Sequence, residues 1–489
     1  MDDLKKEQVK FVEDLLDGID AGAFERIGEI SDRYIYMHLY ALMKLMDELD
    51  NSEALFHQIF DIAIAHGRCC IERKLQRGEK IKVVFEAISA AEWPAKDLYR
   101  LLAADDRMEV SIVIVPLVDR DQESRRDTYV QTRDYFVENG YAVREIYDIE
   151  KDANREWSDI GGIPDIVIHL TPWAASLPIN CWMVYFPLRC IQIYLPYGIY
   201  VADSTDGTYA VDCVYNCDLA NLVWRVYVDS EKNREGYRRY GLLEGKNTAL
   251  SGYLKMDAFY EKKKWSEDEI GSLWKIPEGR KASEIKRVII APHHSLQGRA
   301  GIWFSTFSKN AFFLLYLAKK YKDKVSFIYK PHPNLRLRAV EGGVFESYEA
   351  YDAYLREWDS LPNARVVNEA SYLEIFETSD GMIMDSASFI AEYMYVNKPL
   401  LFLKRDGQAF NMLGTELMRA YDTAWGEDYC AIESFLQDVI IDGRDEKKPL
   451  REEIWKENLD YMSWNHCMAS EFVYRDICSL LQDDENERE

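Results

Sequence analysis

The sequence predicts an α/β protein made of two successive parallel-sheet domains behind a helical segment, and three observations predict it. The chain has 489 residues, enough for two or three domains at about 100–200 residues each. It is 48% apolar and 30% charged, a composition that supports a large core rather than disorder or a fibre. From Lys80 onward short apolar runs alternate with amphipathic stretches, and the alternation restarts at Arg287. Short strands separated by helices imply parallel sheets covered on both faces.

Residues 1–78 form the helical N-terminal segment, with helical spacing in Val9, Val12, Leu15 and Leu16, then Tyr34 to Leu49, then Leu55 to Ile71. They carry no visible chemistry and suit a three-helix cap or a dimerisation element. The first Rossmann-like domain is expected over 79–263. Its strands are Ile81–Ile88, Val110–Val115, Ala142–Ile146, Asp165–Leu170 and Ile191–Leu195, with helices near Pro94–Ala104 and Arg126–Asn139. Trp265–Ser283, polar and holding Pro277 and Gly279, has the composition of an interdomain linker. The second Rossmann-like domain is expected over 284–480. Its strands are Arg287–Ile290, Val325–Tyr329, Arg365–Val367, Gly381–Met384 and Leu400–Leu403, with a helix over Thr306–Lys320 and another from Ser388 to Val396. Trp303-Phe304 and Phe312-Phe313 read as core. Two doubly wound domains facing a cleft would bind ligands at the carboxyl ends of their strands.

Charge narrows the function. Lys and Arg number 60 against 85 Asp and Glu, a formal net charge of −25. Such a surface repels phosphate polymers, so nucleic acid is not an expected partner. An anionic substrate must instead be met by a local, pre-organised site. The nine Cys are irregularly spaced, which reads as buried thiols of a reducing cytoplasm rather than a disulfide framework. No signal-peptide core opens the chain, and Ile179–Val201 is interrupted by Pro187, Arg189 and Pro196, so no clean membrane span is expected.

Titratable residues gather where the second set of strands ends. Arg287–Ile290 runs into Ala291-Pro292-His293-His294-Ser295, and Val325–Tyr329 into Lys330-Pro331-His332-Pro333. Gly381–Met384 runs into Asp385-Ser386-Ala387-Ser388. Two prolines restrict the backbone around His332 and aim its ring. Ser386 and Ser388, opening a helix, offer hydroxyls and N–H groups to a phosphate without any need for net positive charge. Asp119-Arg120-Asp121 matches the acidic triplet of metal-dependent glycosyltransferases, yet such triplets are common in a chain this charged.

These motifs resemble a family. Lys330-Pro331-His332-Pro333, Ser379-Asp380, Asp385 with Ser388, Glu392-Tyr393 and Lys398-Pro399 are similar to the C-terminal signature of the CDP-glycerol glycerophosphotransferases. These are the teichoic-acid primases and polymerases, with a two-Rossmann-domain (GT-B) fold. Ser251-Gly252-Tyr253, with Asp257 after it, resembles the family's Gly-Tyr-Pro-Arg-x-Asp segment. The resemblance covers roughly residues 190 to 410.

It implies transfer of a polyol phosphate from a CDP-activated donor to a glycan or lipid-linked acceptor, as in teichoic-acid or capsule polysaccharide synthesis, with CMP leaving. The implied catalytic residues are His332, His294, His293 and Tyr197. The implied donor-binding residues are Lys330, Pro333, Asp385, Ser386, Ser388, Glu392, Lys255 and Asp257, with Arg299 a further cation. Where the family carries a histidine as general base after a first-domain strand, this chain has Tyr197, so His293, His294, His169 and Asp203 become candidates for the acceptor's proton. Ala387 replaces one family hydroxyl. No tightly bound cofactor and no metal ligand set is expected; divalent-metal dependence stays open. The implied setting is cytoplasmic, with a lipid-linked acceptor bringing peripheral contact with the inner face of a membrane; homo-oligomerisation stays open and would depend on the N-terminal helices. A glycosyltransferase using a nucleotide sugar, and a non-catalytic nucleotide- or glycan-binding scaffold, are the competing readings.

Overall fold

The computed structural model describes residues 52–296, 302–367 and 372–481. They form two compact units. Among the described residues, one takes 52–198, 213–255 and 461–481, the other 199–212 and 256–460.

The first unit is built on seven strands: β1 (Ile81–Ala87), β2 (Met108–Ile114), β3 (Val143–Glu145), β4 (Ile166–His169), β5 (Ile191–Tyr194), β6 (Arg225–Val228) and β7 (Thr248–Leu250). Their order is β7-β6-β5-β4-β1-β2-β3, and every pair is parallel. β1 and β4 are adjacent although β2 and β3 lie between them in sequence. The winding direction therefore reverses between them, where a doubly wound sheet opens a crevice at its carboxyl edge. Ile81, Val83, Val84 and Phe85 supply β1 with β-branched and aromatic side chains, and every residue of the strand but Lys82 is buried. The helix Ser52–Gln76 packs on this sheet, and Lys74 reaches Asp165 at 2.8 Å. The expected helices over residues 1–51 lie outside the described residues.

The second unit has β8 (Lys286–Ala291), β9 (Val325–Tyr329), β10 (Ala364–Val366), β11 (Gly381–Met384), β12 (Leu400–Lys404) and β13 (Asp422–Trp425). The order is β10-β9-β8-β11-β12-β13, again all parallel. The switch point lies between β8 and β11. Val288, Ile290, Phe327, Tyr329, Ile383 and Leu401 carry the core from strand to strand.

Several expectations change. Trp265–Ser283 is not a free linker. It contains the helix Glu267–Leu273, whose N-cap Ser266 and Glu269 form a capping box, and it is bound into the second unit. Trp265 Nε1 donates to Glu377 at 2.9 Å, and the buried Trp274 donates to Thr378 Oγ1 at 2.8 Å. Two indoles anchor a segment whose polar composition hid them. The chain after Asp460 does not stay with the second unit. The helix Ala469–Cys478 joins the first, where Asp476 pairs with Arg225 at 2.8 Å and accepts from Tyr227 at 3.0 Å.

The expected helix from Ser388 to Val396 is a turn followed by a five-residue 3-10 segment, Glu392–Val396. Glu392 and Tyr393 are drawn inward to Tyr372 and Ser379, and Asn397 ends the element at φ 48°. Trp303 and Phe312 are 40% and 62% exposed, so only part of the two aromatic pairs is core. Cys430 is exposed, and Cys69, Cys70 and Cys213 are half-buried, so the expectation of nine buried thiols holds only in part. Asp121 caps the helix Gln122–Glu138 by accepting Ser124 N–H at 2.9 Å, which accounts for that member of the acidic triplet. Among the described residues no helix is long and apolar enough to cross a membrane.

Candidate functional site

The register of the second sheet sets its chemistry. β8 pairs with β9 through Ile290 and Tyr329, and with β11 through Ala291 and Met384. The three polar runs therefore leave the same edge side by side, with the β8 run in the middle. Hydrogen bonds from backbone N–H groups stitch them together. His332 N–H donates to Pro292 O at 3.2 Å, and His293 N–H donates to Asp385 Oδ1 at 2.6 Å.

Three imidazoles meet there. Ring centroids are 4.4 Å apart for His293 and His294, 4.0 Å for His294 and His332, and 5.4 Å for His293 and His332. His332 Nδ1 accepts Asn334 N–H at 3.1 Å, so its neutral ring carries the proton on Nε2. His293 Nδ1 accepts Ser295 N–H at 3.3 Å and lies 2.7 Å from Ser295 Oγ, which itself accepts Phe304 N–H at 2.9 Å. The Ser295 hydroxyl is left to donate to Nδ1, and His293 also keeps its proton on Nε2. Burial, then the neighbouring His294 and Lys330 charges, lower His332 to about 3. Burial and the two neighbouring rings hold His293 well below the usual histidine range. Near neutral pH both are uncharged N–H donors.

The three residues also offer ring nitrogens within 4.8 Å of one another, a spacing from which a metal ion could be held. Ligation through Nε2 would place a proton on Nδ1 of His332 and His293, where each already accepts a backbone N–H. The donor set fits an anion better than a cation.

Around the rings, the expected residues divide into two groups. Lys330 Nζ lies 5.7 Å from the centre of the Tyr372 ring, Pro333 is exposed, and Ser388 is exposed. Ser386 is buried, with its Oγ accepting Ser388 N–H at 3.3 Å. Asp385 braces the loops. It is 1% exposed, and its oxygens take His293 N–H, Thr306 N–H and the Thr306 hydroxyl, the last at 2.8 Å. Burial raises its carboxyl to about 6 against the pull of these donors. Glu392 is buried and accepts the Tyr372 hydroxyl. Asp380 pairs with Arg287 at 3.0 Å, and Lys398 donates to the carbonyls of Phe376 and Glu377. Part of the motif set thus holds the loops while part of it faces the edge. Arg299 lies outside the described residues. Asp257 is buried in the second unit.

The remaining candidates belong to the first unit or to small turns. His169 is closed off, with Nδ1 2.6 Å from Glu86 and Nε2 2.9 Å from Gln192 Oε1, and it is 2% exposed. Asp203 accepts Ser204 and Ala210 N–H at 2.8 and 3.0 Å, a turn brace. Tyr197 follows β5; its hydroxyl accepts Trp173 Nε1–H at 3.3 Å, and its carbonyl accepts the Tyr253 hydroxyl. Gly252 allows this approach. At φ 83°, a Cβ there would also meet the Tyr461 ring at 2.2 Å. Lys255 Nζ donates to Ala91 O at 3.3 Å.

Sequence reasoning missed Ser295 and Thr306, which orient the histidine run, and gave no sign that burial raises the Glu92 carboxyl to about 7. Ser and Thr beside a strand end give no signal by themselves. Glu92 looks like any charged loop residue until burial is known.

A family model described as CDP-glycerol:poly(glycerophosphate) glycerophosphotransferase matches residues 211–479, a span that contains all three clustered histidines. No curated protein matches the chain. Among solved structures, UDP-GlcNAc 2-epimerase from Neisseria meningitidis bound to UDP-GlcNAc is similar at 16% identity and a TM-score of 0.51, over 82% of this chain and 100% of that one. A variant of the wall teichoic acid polymerase TagF is similar at 11% identity and a TM-score of 0.51, over 92% of this chain and 98% of that one. The S. aureus MnaA–UDP co-structure is similar at 13% identity and a TM-score of 0.50, over 82% and 97%. At these identities the likeness is one of fold, the GT-B type.

Proposed function

The chain belongs to the CDP-glycerol:poly(glycerophosphate) glycerophosphotransferase family, and from that premise we propose that it moves glycerol phosphate, or a similar polyol phosphate, from a CDP-activated donor onto a hydroxyl of a teichoic-acid-like or other cell-surface polysaccharide, releasing CMP. The observation that carries this reading is the cluster of three imidazoles at the carboxyl ends of β8 and β9, beside the switch point, with the His293 and His332 rings held neutral. A chain with net charge −25 needs pre-organised donors to hold a diphosphate, and this cluster supplies them.

The chemistry is displacement at phosphorus. The acceptor oxygen forms a bond to the polyol-bearing phosphorus while the bond to the CMP phosphate breaks. Catalysis of this kind is mostly positioning and charge stabilisation. His332 donates Nε2–H to a phosphate oxygen, and the Lys330 ammonium adds charge. With its ring held neutral, His332 serves as a hydrogen-bond donor rather than as a proton-carrying acid. His294 completes the cluster, and Ser386 and Ser388 line the neighbouring turn. A lipid-linked acceptor would bring the protein to the inner face of a membrane.

The test is CMP release and thermal stabilisation with CDP-glycerol, CDP-ribitol and UDP- or CMP-sugars. Binding raises the melting temperature by mass action. Stabilisation by CDP-polyols and acceptor-dependent CMP release are expected. Stabilisation by UDP-sugars alone would overturn the reading in favour of a sugar transferase.

A further inference from the structure

In a chain with a net charge of −25, two consecutive cations stand without a carboxylate, each over an exposed tryptophan. We propose that Trp303, Lys404, Arg405 and Trp425 form a binding site, within the second unit, for a chain of polyol phosphates. Its assignment to the acceptor rests on the transfer reaction proposed above.

The strand register places the four residues at one carboxyl edge. Lys404 ends β12 and pairs with Trp425, which ends β13. Leu401, Leu403 and Ala424 belong to the core cluster. Side chains alternate along a strand, so Phe402, Lys404 and Trp425 lie on the opposite face. Phe304 packs on that face, its ring centroid 6.4 Å from that of Phe402 and 5.9 Å from that of His293. Trp303 precedes it in the chain, beside the imidazole cluster assigned to the diphosphate.

Rings and cations are held in place before any ligand arrives. The Arg405 guanidinium lies 5.3 Å from the centre of the Trp303 ring, and the Lys404 ammonium 5.3 Å from that of Trp425. The two tryptophans are 40% and 44% exposed. Arg405 Nη1 donates to Ser305 O at 2.8 Å and to Leu296 O at 3.3 Å, which leaves Nε and Nη2 without a partner among the described residues. Gly407, at φ 86°, bends the chain against Trp303. Gln408 closes this turn by accepting Arg405 N–H at 3.0 Å and donating to Phe304 O at 2.8 Å.

The lack of a carboxylate sets these pairs apart. Arg225, Lys263, Lys320 and Arg336 also lie over rings, and each of them holds an Asp or a Glu. Lys404 and Arg405 hold none among the described residues, although Asp406 follows directly in sequence. Arg239 over Tyr240 holds none either, but it stands at the far end of the helix that starts after β6. Single surface aromatics are ordinary, whereas two indoles with two uncompensated cations along one ligand-binding edge point to a ligand. A cation beside an indole offers charge to a phosphate and an apolar face to the C–H groups of a polyol. The donor's own glycerol phosphate has the same chemistry, and the experiment separates the two sources.

Binding of a synthetic glycerol phosphate hexamer is measured by isothermal titration without donor, together with the KM values for hexamer and for CDP-glycerol in CMP release. Trp303→Ala, Trp425→Ala and Lys404→Gln alter surface side chains, and their melting temperatures check the fold. Arg405→Gln also loses two carbonyl bonds, so Lys404→Gln carries the charge test. Expected is a loss of about 2- to 5-fold in hexamer affinity for each variant, and about 10-fold for Trp303→Ala combined with Lys404→Gln. The KM for CDP-glycerol should stay at its wild-type value, and hexamer binding should weaken as salt rises. Wild-type affinity in the combined variant overturns the site. A raised KM for CDP-glycerol with unchanged hexamer binding overturns the acceptor assignment and gives the site to the donor. Wild-type protein that ignores the hexamer yet releases CMP with another acceptor overturns the inference and leaves the transfer reaction standing. Hexamer binding that the variants weaken, in a protein that releases no CMP from any CDP-polyol, upholds the site and overturns the transfer reaction.

Discussion

Removing the charge at Glu92 should make the protein more stable. The carboxyl is held at about 7 in the folded chain, against an ordinary value of 4.5. Below pH 4.5 it is neutral folded or unfolded, and its contribution is fully present. Between 4.5 and 7 the unfolded chain ionises while the folded one does not, so stability is lost over that window. Above 7 the loss is complete. A shift of this size corresponds to about 3 kcal/mol at most, and the partial exposure of the side chain screens it to roughly 1–2 kcal/mol. Glu92→Gln keeps the shape and abolishes the ionisation. Its melting temperature should exceed that of wild type by about 4 °C at pH 8, on a scale of about 2–4 °C per kcal/mol for domains of this size. At pH 4.5 the two should melt together. Differential scanning calorimetry at both values, reading the first unit's transition, measures the difference. A variant less stable than wild type at pH 8 would mean that Glu92 holds a structural partner, and the reasoning from its burial would fail.

Other perturbations test the second unit. Asp385→Ala leaves the buried N–H groups of His293 and Thr306 and the Thr306 hydroxyl without their acceptor; a loss of about 3 kcal/mol is expected by chemical denaturation, with Asp385→Asn recovering part of it and of the activity. His332→Gln should fold and lose roughly 10- to 100-fold in kcat/KM, the worth of one hydrogen bond to a charged phosphate; an unchanged rate would put the donor elsewhere. Because the folded His332 pKa is lowered from 6.5 to about 3, its stability contribution is present above 6.5 and is lost as pH falls towards 3. Wild-type stability should therefore drop more steeply between pH 6.5 and 4.5 than that of His332→Gln, by up to about 1.4 kcal/mol per pH unit, read by urea titration at each pH. Trp274→Ala should cost about 3–5 kcal/mol and open Trp265–Ser283 to protease; resistance equal to wild type would restore the linker reading.

Much of the fold was legible because its signal is local. The strand at Val325–Tyr329 matches its expected bounds, and Lys286–Ala291 extends its expectation by one residue at each end. The polar runs after them follow from plain adjacency in sequence. What failed was non-local. A tryptophan in a polar stretch gives no warning that Thr378 waits for its indole. A Ser-rich turn gives no warning that Tyr372 will draw Glu392 inward and shorten the helix to a single 3-10 segment.

The same division runs through the site. The Lys-Pro-His-Pro run, the paired histidines and the Asp385 run could be read directly, and their spacing pointed to the family. Their roles could not. Whether a carboxylate braces a loop, as Asp385 does with three donors, or keeps an oxygen unpartnered, as Glu92 does, depends on groups tens to hundreds of residues away. Residue order therefore determined the alternation of strands and helices, the class of chemistry and the net negative surface. Tertiary structure decided which of those titratable groups stay neutral, which are braced and which are left open, because burial and hydrogen-bond partners are properties of the space around a side chain rather than of its neighbours in the chain.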